Sequence, residues 1–348
     1  MGERKHDVLK RALILWCLLC AAGQGAEYAI AVSVDGLGST YLQDLVDAGR
    51  LPNFKRLLEE GAGTTNARTD YDITVTLPNH TTMVTSRPVN GPRGHGWTSN
   101  TDPAQGVTIH SQKGAYVAGM FDVAHDHGLR TGMWAAKTKF SLFKVSYDAE
   151  HGAPDVTGED NGRNKLDVFV YGKTCAELTA DFVANMRTNP CHLALVHFGE
   201  GDAVGHTHGW GSAEYQAALA TIDGCLGQIM DLIATNERLR GRTVLLVTSD
   251  HGGVEKNHGD AQLPLDYTIP FYVWGAGIAK ADLYALNRGA RASPGGGRPP
   301  YEAVAQPVRN GEVGNVALSE LGLGPIPGSL LNARQDLRLR AAVRKHRK

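Results

Sequence analysis

The chain has 348 residues, 42% hydrophobic and 20% charged, with 35 Lys and Arg against 36 Asp and Glu for a formal net charge of −1. That length and apolar content are enough to bury a full core, and one large α/β domain is the expected organisation. The near-neutral balance excludes nucleic acid as a bulk partner.

At the start of the chain, Arg4, Lys5, Lys10 and Arg11 precede the apolar run "ALILWCLLCAA" and the small residues of "GQGA". This is the layout of a signal peptide over residues 1–25, and it predicts a secreted or periplasmic protein. The run is shorter than the roughly 20 residues a bilayer span needs, so no membrane span is expected after cleavage. Removing the segment takes away four basic and two acidic side chains, which moves the formal charge from −1 to −3. It also takes Cys17 and Cys20, leaving Cys175, Cys191 and Cys225 for an oxidising compartment: one disulfide at most, and one thiol over.

Short apolar runs that end in polar or Gly-rich turns predict strands at "YAIAVSVDG", "TGMWAAKTKF", "HLALVHFGEGD", "TVLLVTSDHGG" and "PFYVWGAG". Helical patterns lie between them, at "TYLQDLVDAGRLPNFKRLLEEG", "NHTTMVTS" and "SAEYQAALATIDGCLGQIMDLIATN". The alternation predicts an α/β fold, a three-layer α/β/α sandwich with a mostly parallel central sheet, as one catalytic domain over residues 26–330. The polar segment 141–174 suits a surface excursion or lid, and the Gly/Pro/Arg-rich stretch 287–311 suits a flexible surface loop. A basic tail, 331–348, reads as a solvated, frayed terminus.

Three carboxylates stand just past the carboxyl ends of predicted strands: Asp35 in "VSVDG", Asp202 in "VHFGEGD" and Asp250 in "VTSDHGG". That edge of an open parallel sheet is where ligands bind, although one Asp there is commonly only a helix cap. The imidazoles beside them change the reading. Asp202 and His206 are spaced i, i+4 on one helical face, His251 follows Asp250 directly, and His258 lies one short loop on. Gly252 and Gly253 would permit the turn that brings Asp250 and His251 forward together. Asp and neutral His without thiolate suit Zn²⁺, with other divalent metals compatible with the same donors. Two such groups facing one pocket would seat two cations roughly 4 Å apart, the arrangement that stabilises both the entering and the leaving oxygen of a phosphoryl displacement. Thr76, in "TVTLPNH", would then be a nucleophile; its plain alternative is an N-cap.

With those residues in view, "VSVDGLG", "TLPNH" with "GHGWTSN", "GDAVGHTHG" and "TSDHGG" with "NHG" occur in an order that resembles the alkaline phosphatase superfamily, most closely its type I phosphodiesterase and nucleotide pyrophosphatase family. The resemblance spans residues 29 to 276. It implies one zinc on Asp35, Asp250 and His251, a second on Asp202, His206 and His258, and Thr76 as the residue transiently phosphorylated and metal-bound. It also implies Asn100 as the amide that binds a phosphate oxygen, and a two-step hydrolysis of a small phosphoester or nucleotide-like substrate.

Two departures from the family pattern bear on substrate. Leu77 stands where nucleotide-cleaving relatives usually carry a Phe that stacks a base, and Tyr71, Trp97, Trp134, Phe140 and Trp210 are the aromatics near motif segments. Lys137 and Lys139, in "AAKTKF", resemble by position the basic pair that grips a terminal phosphate in phosphomonoesterases. The expected function is thus phosphodiesterase or pyrophosphatase chemistry, with phosphomonoesterase the alternative and a non-catalytic, metal-stabilised binding module a third.

Overall fold

A computed structural model describes residues 25–341. Residues 1–24 of the expected signal segment and residues 342–348 of the basic tail lie outside them.

The described chain folds around one eight-stranded sheet. In chain order the strands are β1 Tyr28–Val34, β2 Ala62–Arg68, β3 Thr131–Ala135, β4 Val168–Tyr171, β5 Leu193–Phe198, β6 Thr243–Thr248, β7 Thr268–Gly275 and β8 Ala281–Asp282. In space they run β4-β3-β5-β1-β6-β7-β2-β8. The block from β4 to β6 is parallel, and β7 is antiparallel to both its neighbours. Central β1 is buried on both faces. Ala29 and Ala31 enter one apolar cluster, with the Thr76–Thr85 and Val313–Glu320 helices, while Ile30, Val32 and Val34 enter another, with the Cys175–Thr188 and Ala213–Thr235 helices. A strand covered on both faces has no polar side to show, which is why β1, β5 and β6 read as continuous apolar runs.

All five predicted strands are present. β2, "AGTTNAR", escapes sequence reading because it is polar, and β4 and β8 are short edge strands. Among the described residues, one helix, Ala213–Thr235, is long and apolar enough to cross a membrane, but its Leu219, Ile222, Leu226 and Ile229 are fully buried in the core.

Three expectations are corrected. Segment 141–174 is not one excursion: Ser141–Ser146 is a helix with Leu142 and Phe143 buried, and Val168–Tyr171 is edge strand β4. What remains between them is tied to the amino end of β3, where Lys165 and Asp167 accept from Thr131, so it is no lid over the carboxyl edge. The 287–311 stretch is anchored rather than free: Arg309 is 1% exposed and donates to the Thr69 carbonyl at 3.2 Å. The described part of the tail packs down through buried Leu337 and Leu339, and Arg340 pairs with Glu320 at 2.6 Å.

Candidate metal centre

Each predicted ligand sits where a regular element ends or begins. Asp35 follows β1, and Asp250 and His251 follow β6. Asp202 and His206 lie one turn apart on the helix Glu200–His208 that follows β5, and His258 is on the loop after β6. Close packing requires glycine at two of the joints. A Cβ on Gly36, whose φ is +74°, would lie 3.0 Å from the Asp202 Cα, and one on Gly252 would lie 2.0 Å from the Leu265 carbonyl oxygen. Gly252 and Gly253 permit the turn through close approach, with neither residue at positive φ.

The structure brings the six together as two groups, Asp35 with Asp250 and His251, and Asp202 with His206 and His258; within each, ligand atoms lie within 4.8 Å of one another. The groups adjoin, with His251 Nε2 3.8 Å from Asp202 Oδ1.

Hydrogen bonding commits one half of every ligand and leaves the other half free. His206, His251 and His258 each donate Nδ1–H to a backbone carbonyl, of Lys256 (3.0 Å), Gly252 (2.8 Å) and Thr74 (2.6 Å). A carbonyl only accepts, so in each neutral ring the lone pair is on Nε2, turned toward the carboxylates. Asp35 Oδ2 accepts from His197 (2.9 Å) and pairs with Lys137 (2.7 Å), Asp202 Oδ2 accepts from Lys137 (2.6 Å), and Asp250 Oδ1 accepts from the N–H of Gly36 (3.1 Å) and His251 (2.9 Å). The remaining oxygens, Asp35 Oδ1, Asp202 Oδ1 and Asp250 Oδ2, are buried and accept no hydrogen bond. His206 Nε2 and His258 Nε2 are 3.1 Å apart, and 3.3 and 3.4 Å from Asp202 Oδ1. Three acceptors aimed at one point repel unless a cation lies between them, so the donor set fits a divalent metal.

The electrostatics agree. Burial, then the charge of Asp35, pushes the Asp250 carboxyl up to about 7. Burial opposes a proton on His251, but Asp250 and Asp35 outweigh it and raise the imidazole to about 9. Burial likewise opposes the charge on Lys137, yet Asp35 and Asp202 hold it above the ordinary lysine range. Uncompensated carboxylate charge attracts any cation within reach.

Thr76 is 1% exposed and opens the helix Thr76–Thr85; its backbone neighbour Val75 takes the N-cap position, so the Thr76 side chain is not the cap. Its Oγ1 lies 3.5 Å from His251 Nε2 and 3.4 Å from Lys137 Nζ. Asn100 Oδ1 accepts from the Leu77 N–H (2.9 Å) and from Lys139 Nζ (3.1 Å). The Leu77 side chain, expected against substrate, is fully buried in the core, and only its backbone N–H meets Asn100. Of the candidate aromatics, Trp97, Trp134 and Phe140 are buried and offer no free face. Trp210 packs behind His206 and His258.

Other residues support the site without announcing themselves in the sequence. His197 fixes Asp35. His80 bridges the Thr76 carbonyl and Ser33 Oγ, both at 2.8 Å. Asn310 Nδ2 donates to the carbonyls of Ser249 (3.2 Å) and Asp250 (3.3 Å). His208 is exposed and faces Glu214 at 3.9 Å, outside the site. A further group, His125, Asp126 and Asp155, has ligand-like spacing, but the buried Lys165 ammonium contacts all three and supplies its cation.

The architecture is that of an alkaline phosphatase-like fold. An inactive threonine-to-alanine variant of murine ectonucleotide pyrophosphatase/phosphodiesterase 5, in complex with AMP, superposes with a TM-score of 0.59 at 14% identity, covering 91% of this chain and 100% of that one. A protein of the alkaline phosphatase superfamily from Vibrio parahaemolyticus gives 0.58 at 14% identity, over 90% and 70%. This chain belongs to the type I phosphodiesterase/nucleotide pyrophosphatase family, whose family model matches residues 29–310. It is 30% identical over 149 residues to GPI ethanolamine phosphate transferase 1 of Mus musculus, covering 39% of this chain and 15% of that protein. It is 26% identical over 247 residues to ectonucleotide pyrophosphatase/phosphodiesterase family member 1 of Homo sapiens, covering 67% and 24%. The chain thus spans about a quarter or less of the length of these curated relatives.

Proposed function

We propose that this chain is a zinc-dependent phosphoester hydrolase of the phosphodiesterase and nucleotide pyrophosphatase type, working through a phosphothreonine on Thr76. The observation that carries the reading is the convergence of three Nε2 lone pairs and three unpartnered carboxylate oxygens beside one buried threonine hydroxyl. Two Zn²⁺ ions, one on Asp35, Asp250 and His251 and one on Asp202, His206 and His258, would supply Lewis acidity to the threonine and to the entering and leaving oxygens.

The chain's own groups account for the rest. Thr76 Oγ1 forms a bond to phosphorus as the bond from phosphorus to the leaving ester oxygen breaks, and water then cleaves the Oγ–P bond and restores the hydroxyl. With Asn100 Oδ1 held by two donors, its Nδ2 is the group left to meet a phosphate oxygen. A substrate oxygen that displaces Oδ1 also gains the Leu77 N–H at the helix N-terminus. The basic and apolar opening of the sequence supports export to a secreted or periplasmic location.

One observation favours a second reading, phosphomonoesterase. Lys137 stands 3.4 Å from Thr76 Oγ1 and Lys139 touches Asn100, so two ammonium groups flank the place of the phosphoryl group and suit a dianionic terminal phosphate. Paired assays with bis-p-nitrophenyl phosphate and p-nitrophenyl phosphate separate the two; a large excess of kcat/KM on the monoester selects the second. Added ethanolamine as acceptor tests for transfer to an alcohol in place of water. Thr76→Ala tests the nucleophile and the binding-module alternative together: fold and metal content are expected to persist while kcat falls by about three orders of magnitude or more. Unchanged turnover in that variant would remove Thr76 from the chemistry.

A further inference from the structure

We propose that Cys175 and Cys225 form a disulfide that ties the helix Cys175–Thr188 to the helix Ala213–Thr235. Their sulfur atoms are 2.9 Å apart, about 0.9 Å beyond the length of an S–S bond, and both residues are buried, at 0% and 3% exposure. Cys175 is the first residue of its helix and Cys225 lies midway along the other. The third thiol, Cys191, is engaged elsewhere: its sulfur accepts from Arg130 Nη1 at 3.0 Å and faces Asn185 Oδ1 at 3.7 Å. Of the three pairings open to these cysteines, the structure favours one.

The link would bear on the metal centre. It closes a segment that contains β5 and the helix Glu200–His208, and hence Asp202 and His206. The Cys175 backbone N–H also donates to the Glu200 carboxylate at the start of that helix. Tying the two flanking helices together therefore steadies the element that carries two of the three residues of one ligand group. In forming the bond, the two thiols give up two protons and two electrons to an external disulfide, such as oxidised glutathione or a protein disulfide, which leaves as two thiols after exchange through a mixed disulfide.

Peptide mapping tests this on the full chain. Protein folded in a glutathione redox buffer is denatured and alkylated with iodoacetamide without reductant, then digested with trypsin and endoproteinase Glu-C; the second protease is needed because no Lys or Arg separates Cys191 from Cys225. The expected result is one linked species joining the Cys175 and Cys225 peptides, lighter than their sum by two hydrogens, with Cys191 alkylated. Reduction under denaturing conditions should release both peptides, and Cys191→Ser should leave the link in place. Alkylation of both Cys175 and Cys225 in the unreduced sample, or a link from either to Cys191 or to glutathione, would overturn the proposal.

Discussion

Asp122 shows how burial acts on a single side chain away from the metal centre. It is 5% exposed and accepts from the Tyr116 hydroxyl and from the Gly119 N–H at 2.7 Å, yet burial dominates and lifts its carboxyl to about 6. The native state then holds the proton more tightly than the unfolded chain does. Folding stability falls as pH rises from about 4 to about 6, and the cost is fully present above that window. A rise from the ordinary 3.8 to about 6 makes that cost roughly 3 kcal/mol. Urea unfolding of chelator-treated protein across pH 4–7 should show the fall, and Asp122→Asn should make it shallower, with Asp250 and Asp266 contributing the rest; parallel curves for the two proteins would refute the assignment. Residues of this kind are where sequence reading fails. The candidate metal ligands are legible because Asp202 with His206 and Asp250 with His251 sit close along the chain. His197 is not, since its bond to Asp35 depends on the β1–β5 register that sets Ser33 beside His197. Lys137 and Lys139 are marked in the sequence by their resemblance to a phosphate-gripping pair, but the partners that the fold gives them, Asp35 and Asp202 for one and Asn100 for the other, are not legible there.

At the level of elements, the pattern "TYLQDLVDAGRLPNFKRLLEEG" resolves into two helices, Ser39–Asp47 and Pro52–Glu60, parted at the Pro. The second has no N-cap side chain of its own. Asp223, from the middle of the helix Ala213–Thr235, does the capping from outside, accepting from the N–H of Asn53 (3.0 Å) and Phe54 (2.8 Å) and from Asn53 Nδ2 (2.9 Å). The approach is possible because Gly227 is one turn on, where a Cβ would lie 2.6 Å from Asn53 Nδ2. Asp223→Ala strips the cap and leaves partly buried donors unpaired, so it should cost about 2 kcal/mol in denaturant unfolding, while Asp223→Asn costs less. Wild-type stability in the alanine variant would show that water serves these donors equally well. Helix existence was readable from apolar spacing, but this cap was not, because it joins residues 170 positions apart.

Across the whole molecule, segments with no motif hold the motif-bearing ones in place. Asn310, near the end of the stretch expected to be a flexible surface loop, fixes the Asp250 carbonyl, and the helix Val313–Glu320 that follows packs under β1, β6 and the Thr76 helix. The scaffold thus pre-forms a site dense in negative charge, with Lys137 as the ammonium that contacts both Asp35 and Asp202. A cation that binds such a site in the folded chain, and far more weakly in the unfolded one, must stabilise the fold by mass action. At a free metal concentration one hundred times the Kd, each site adds about 2.7 kcal/mol, a rise in Tm of about 4 °C per site for a domain of this size. Thermal unfolding of chelator-treated protein, with and without added Zn²⁺, reads this directly. Thr76→Ala should keep the full rise, since the ligand groups survive, whereas Asp250→Asn should lose a large part of it by removing the carboxylate whose second oxygen has no other partner. Identical Tm values with and without Zn²⁺ would mean that the converging lone pairs hold no metal, and the proposed chemistry at Thr76 would fall with them.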